Sequence, residues 1–148
     1  MIYNTELKLD SSWTVESEII QDEQGADITQ ISAGHVIDED EHEDCHVEIS
    51  VGPLPEEITA EDEAFANYVE LVGFTDDDEE NPISKEKFNN KTAYVFETEQ
   101  EDGSIMRVIC TEARKGCLAL ITLYAIDDEM LNYAHRATEK GLRISAAE

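Results

Sequence analysis

The sequence predicts an α+β fold: a single predominantly antiparallel sheet of about six to seven strands, with helices packed on both faces. Three observations carry this expectation. Short runs in which apolar and polar residues alternate recur from Trp13 to Ala125, separated by turn residues, as half-buried strands require. Two stretches, Ala60 to Val72 and about Asp128 to Lys140, place apolar residues at helical spacing instead. Finally, Cys117 to Ala125 presents apolar residues on both faces, so this strand belongs near the sheet centre with cover on each side.

The elements follow in order. Leu7 to Leu9 leads into a turn at Asp10-Ser11-Ser12, and Trp13 to Ile20 then alternates as a strand. Asp27 to Ala33 is a weaker strand around Ile28 and Ile31. The run from Asp38 to Asp44 has no apolar period and is expected to be a solvated loop or a frayed end. His46 to Val51 resumes alternation through Val47, Ile49 and Val51, and Pro53 and Pro55 stop it. Thr59 and Asp62 form a capping arrangement for the first helix, whose face holds Ala64, Phe65, Tyr68, Val69, Leu71 and Val72. Beyond Gly73 and the acidic run Asp76 to Glu80 come Ile83 to Phe88, Thr92 to Thr98, Ser104 to Thr111 and Cys117 to Ala125. Asn89-Asn90, Asp102-Gly103 and Lys115-Gly116 join them as hairpin turns. In the last helix Asp127 is the cap and Ile126 is placed to staple onto Leu131. Gly141 ends it, and Leu142 to Ser145 returns as a short edge strand.

The length of 148 residues suits one domain spanning 1–148, large enough to bury roughly 70% of the surface of its unfolded chain. No run approaches the roughly 20 apolar residues of a spanning helix, and residues 1–8, with neither a charged n-region nor an apolar run, are not expected to act as a signal peptide. Three cysteines, Cys45, Cys110 and Cys117, stand at no recognised ligand spacing, which fits a reducing, cytoplasmic location. Cys110 and Cys117 lie in apolar runs and read as core residues.

Charge is the most unusual property. The chain carries 36 acids and 10 bases, for a formal net charge of -26. Between Leu9 and Ser84, 76 residues hold 24 of those acids and no lysine or arginine, whereas the rest is nearly balanced at -2. One side of the folded chain is therefore expected to be strongly anionic. Ten dispersed cations cannot form the cationic surface that nucleic acid or an anionic membrane needs, so both are excluded as partners.

The strand pair leading to Trp13, the strand entering Pro53-Leu54-Pro55, the single helix, the Phe88-Asn89-Asn90-Lys91-Thr92-Ala93-Tyr94 turn, the meander and the closing helix together resemble the Mog/PsbP-like fold. The resemblance spans nearly the whole chain in its order of elements. Ser11-Ser12 and Asn89-Asn90 stand where that family often has proline and glycine. It implies a small antiparallel sheet with helices on both faces. It also implies a mostly non-enzymatic role, as in photosystem assembly subunits, a Ran GTPase-binding factor and chaperones that load type VI secretion effectors. No functional residue carries over.

The richest chemical cluster is His35, Asp38, Asp40, His42, Cys45 and His46. His42, Cys45 and His46 are the candidate metal ligands, but zinc sites pair two such clusters and no second one is in view. Neither Asp38-Glu39-Asp40 nor Asp76-Asp77-Asp78 is followed by the glycine of a calcium loop. No nucleophile elbow or glycine-rich phosphate loop is present, and the side chains of Cys45 and His46 diverge on a strand. No cofactor and no catalytic residue is expected. Two readings follow. One is a non-enzymatic cytoplasmic binding or adaptor protein that meets a basic protein partner through Asp38, Asp40, Glu41 and Asp44. Immunity proteins and effector chaperones both fit that class. The other is an ion-dependent protein or enzyme using the loop 35–46.

Overall fold

The computed structural model of the chain describes residues 3–9, 13–21, 25, 27–36, 43–54, 57–72, 83–89, 91–99, 103–114 and 116–146. Among them alternation and turn chemistry give nine strands and two helices: β1 (Tyr3–Leu7), β2 (Trp13–Gln21), β3 (Asp27–Val36), β4 (Glu43–Pro53), α1 (Ala60–Val72), β5 (Ser84–Phe88), β6 (Lys91–Glu99), β7 (Ile105–Arg114), β8 (Cys117–Ala125), α2 (Asp128–Gly141) and β9 (Leu142–Ala146). The main sheet has seven antiparallel strands in the order β2-β3-β4-β8-β7-β6-β5. Its central strand is β8, as its two-faced apolar pattern demands. No described helix is long and apolar enough to cross a membrane.

The hairpins close where the turn residues allow. Asn89 takes a left-handed φ of 50° between β5 and β6, and Gly103 takes 89° between β6 and β7, conformations that short hairpins need and most residues avoid. At the start of α1, the Thr59 N–H donates to Asp62 Oδ2 at 3.0 Å and the Asp62 N–H donates to Thr59 Oγ1 at 3.1 Å. This reciprocal pair satisfies donors that the helix itself cannot. Asp127 caps α2 by accepting from the Met130 N–H at 2.8 Å.

Four expectations are corrected. The described strands form two sheets rather than a single one, because β9 pairs with β1, from Tyr3 opposite Ala146 to Leu7 opposite Leu142. β9 is an edge strand of this small sheet and not of the main one, and Leu7, Leu9 and Leu142 join the cluster that α2 packs against. β1 accordingly starts at Tyr3 and ends at Leu7. Glu43 and Asp44 belong to β4, not to a loop, since the β3–β4 ladder continues past a bulge to Val36 opposite Glu43. Ladder bonds use the backbone alone, so acidic side chains do not end them. Phe65 and Ile126 are 44% and 55% exposed. α1 buries a narrow stripe of Ala60 and Ala64, flanked by Tyr68, and Leu131 turns wholly into the sheet without Ile126.

Two apolar clusters hold the structure. The larger joins Val47, Ile49, Ile109, Ile121 and Leu123 to Leu131 and Ala134 of α2. The smaller joins Phe96, Met106, Val108 and Cys110 to Ala60 and Ala64 of α1. Each wholly buried aliphatic side chain contributes about 1.5–3 kcal/mol relative to its exposed state. Trp13 is 7% exposed and stacks on Tyr133 at 6.0 Å between ring centroids, with His35 5.2 Å from both rings. This trio ties the outer strands to α2.

Candidate functional site

Residues opposed across successive strands share a face. One such row crosses six of the seven strands as Glu16, Ser32, Glu48, Thr122, Val108 and Phe96. The next is Glu18, Gln30, Ser50, Leu120, Cys110 and Tyr94, and another is Thr14, Gly34, His46, Tyr124, Met106 and Thr98. In these three rows the residues of β2, β3 and β4 are polar, acidic or glycine and those toward β6 are mainly apolar, whereas the adjoining row begins with Ile20 and Ile28. The reason lies in cover: α1 packs on β6 and β7, and only the strands beneath it need apolar side chains.

The uncovered part forms an open trough of about 600 Å³ lined by Glu16, Glu18, Gln30, Ser32, Glu48 and Ser50, with the intervening backbone. His46 Nε2 lies 3.1 Å from Ser32 Oγ and 3.6 Å from Glu48 Oε1, and its ring is 6.3 Å from that of Tyr124. Burial, and then the nearby Glu48 carboxylate, raise the Tyr124 hydroxyl above its usual value, since both disfavour a phenolate. The trough thus presents carboxylates, hydroxyls and an amide, groups suited to accept hydrogen bonds from cationic side chains.

The charge map follows the strand order. β2, β3 and β4 carry Glu16, Glu18, Asp27, Glu43, Asp44 and Glu48 and no lysine or arginine. β5, β6 and β7 carry Lys85, Lys87, Lys91, Arg107 and Arg114 among their acids. A polarity along the chain has become a polarity across the sheet, because β2, β3 and β4 are neighbours both in sequence and in space.

A second polar group lies against α2. Arg107 Nη2 donates to Glu97 Oε1 at 3.1 Å and to Asn132 Oδ1 at 3.2 Å, and Nη1 reaches His135 Nδ1 at 2.9 Å. These contacts fasten α2 to β6 and β7.

Of the residues singled out from sequence, Asp38, Asp40, Glu41 and His42 lie outside the described residues, and Asp44 is placed only by its backbone in β4. Cys45 is buried in the α2-side cluster, whereas the neighbouring His46 faces the trough, so the two do not share a site. Among the described residues no group of three or more His, Cys, Asp or Glu side chains is arranged to hold a metal ion. Sequence reasoning missed Glu16, Glu18, Gln30, Ser32, Glu48 and Ser50 as a set. The signal was partial: these six residues hold alternate positions of three consecutive strands, but Ile20 and Ile28 stand on the same face, so polarity alone does not mark that face as uncovered. No protein family, curated protein or solved structure matches the chain.

Proposed function

We propose that the chain is a non-enzymatic, cytoplasmic binding or adaptor protein whose acidic half docks a basic protein partner. One observation carries the reading: the polar ends of the cross-sheet rows, Glu16-Ser32-Glu48 and Glu18-Gln30-Ser50, lie together on a face that no described helix covers and whose three strands have no lysine or arginine. A folded chain of -26 charge steers a cationic partner toward itself, and complementary fields act mainly on the association rate. The same field repels nucleic acid and anionic membranes. The Mog/PsbP-like arrangement, with helices on both faces, is part of this reading. It is supported by the separate sets of sheet residues that α1 and α2 gather.

The test is charge reversal. Glu16, Glu18 and Glu48 changed to Lys, and separately Asp38, Asp40, Glu41 and Asp44 changed to Lys, are expected to slow association with partners recovered from the native cell and to flatten its salt dependence. Reversal of Glu97, Glu99 and Glu101 is expected to matter less. Equal rates with every set would make the acidic half a solubility device. Metal analysis of untagged protein distinguishes the rival reading, an ion-dependent protein or enzyme built on the loop 35–46.

A further inference from the structure

The two outer edges of the main sheet differ. β5 is a five-residue strand carrying Lys85 and Lys87, a short and charged edge of the kind that keeps other strands away. β2 is nine residues long, about 30 Å at strand rise. It contains neither lysine nor proline, and beyond Trp13 every residue of it is exposed. Among the described residues no strand pairs with its outer side. Its two faces are chemically distinct. Val15 and Ile19 are 40% and 62% exposed on the face that holds Trp13, while Glu16 and Glu18 line the trough on the other, with Ile20 beside them at the strand's end.

We propose that the outer edge of β2 receives an extended strand of the partner protein, in which lysine or arginine alternates with aliphatic residues. The partner's main chain would complete the ladder, its cations would stand beside Glu16 and Glu18, and its aliphatic side chains would cover Val15 and Ile19. This rests on the docking function proposed for the acidic half and specifies how the partner is held.

Charge decides between this occupant and a second copy of the chain. In the antiparallel self-pairing centred on Ser17, Glu16 stands opposite Glu18 at two places, and like charges directly opposed destabilise a strand pair. A second copy approaching through its β5 brings Lys85 and Lys87, but also the rest of a body of -26 net charge. A cationic strand meets neither obstacle. The edge is therefore guarded against its own kind and open to the opposite charge.

The experiment uses the full chain and two nine-residue peptides of the same lysine and valine composition, matched to the length of β2. In one the residues alternate; in the other they are grouped in blocks. The alternating peptide is expected to bind at least about tenfold tighter, and to slow hydrogen exchange at alternate amides of β2, those facing outward. Glu16→Lys with Glu18→Lys is expected to abolish both effects. Equal affinity of the two peptides without protection of β2 would overturn strand addition and leave the acidic docking surface standing. Failure of both peptides to bind at low salt would overturn the two together. Light scattering that finds a dimer or filament with β2 protected in the absence of peptide would assign the edge to a second copy and overturn the proposal.

Discussion

Arg107 donates a hydrogen bond to Nδ1 of His135 at 2.9 Å. A guanidinium has no acceptor, so Nδ1 accepts and the imidazole proton resides on Nε2. A second proton on this ring would break the bond and place two cations in contact. Burial first, and then Arg107, hold the His135 pKa below its ordinary 6.5, against the opposing pull of Glu139, Glu86 and Glu97. Between that lowered value and 6.5 the unfolded chain binds a proton that the folded chain refuses, so stability falls as pH drops through the window. His135→Asn keeps an acceptor for Arg107 without titrating. Denaturant midpoints measured from about pH 8 to about pH 5 are expected to fall more for the parent chain than for this variant. Parallel curves would mean that His135 titrates alike in both states.

Gly141 and Lys8 set the docking of β1 beneath the end of α2. The Lys8 N–H donates to the Gly141 carbonyl at 3.0 Å, and a Cβ on Gly141 would lie in contact with the Lys8 carbonyl oxygen and carbon. The neighbour is backbone, which cannot swing aside as a side-chain tip can. Gly141→Ala is therefore expected to destabilise the chain by about 1–3 kcal/mol, the usual range for overpacking. Thermal denaturation checks the size. Hydrogen exchange should show the loss concentrated in β1 and β9, and an unchanged melting midpoint would show that the two segments part without cost.

Burial, and then Glu63, push the Cys110 thiol up to about 12 from an ordinary 9.0. Its thiolate is suppressed in the folded chain, and with Cys45 and Cys117 also buried and outside any disulfide no cysteine is accessible to a thiol reagent. Labelling is expected to follow global unfolding, with no fast phase. The linkage has the opposite sense to that of His135. Stability from this group is intact below pH 9.0 and declines as pH rises toward 12, because the unfolded thiol ionises first. Cys110→Ala loses packing but is expected to show a shallower alkaline decline. A rapid labelling phase at neutral pH would show that α1 lifts off the sheet.

The strands and helices were legible because their signals are local. The two-faced apolar run of β8, the Thr59 and Asp62 cap and the turn at Asn89 each depend on residues within a few positions. What the sequence could not show was which faces lie uncovered. Phe65 shares a broad apolar face with Ala64 on paper, yet Ala60 and Ala64 are buried and Tyr68 packs on Phe96 while Phe65 stays 44% exposed, since close approach favours small side chains. The trough was hidden for a related reason. Glu16, Ser32 and Glu48 are 16 residues apart in sequence at each step, and only the register of β2, β3 and β4 aligns them. The separate β1–β9 sheet depends on where α2 returns the chain, a long-range choice with no local mark.

Glu16 and Glu48 flank Ser32 across two strand spacings, roughly 10 Å, and Glu18 lies beside Glu16 on the same face. Two like charges at that distance in water repel by about 0.4 kcal/mol, so the trough alone accounts for roughly 1 kcal/mol of self-repulsion at low ionic strength. The Debye length shrinks from about 30 Å at 0.01 M to about 8 Å at 0.15 M, which carries this spacing from unscreened to screened. Stability is therefore expected to rise with NaCl over that range. The variant Glu16→Gln, Glu18→Gln, Glu48→Gln is expected to be more stable at low salt and to gain less from added salt. Thermal midpoints of both proteins in a salt series measure the difference. Equal slopes would place the repulsion in other acids of the chain and leave the trough carboxylates too well solvated to oppose folding. In that case they would still attract a cationic strand, because steering depends on the summed field and not on the local strain.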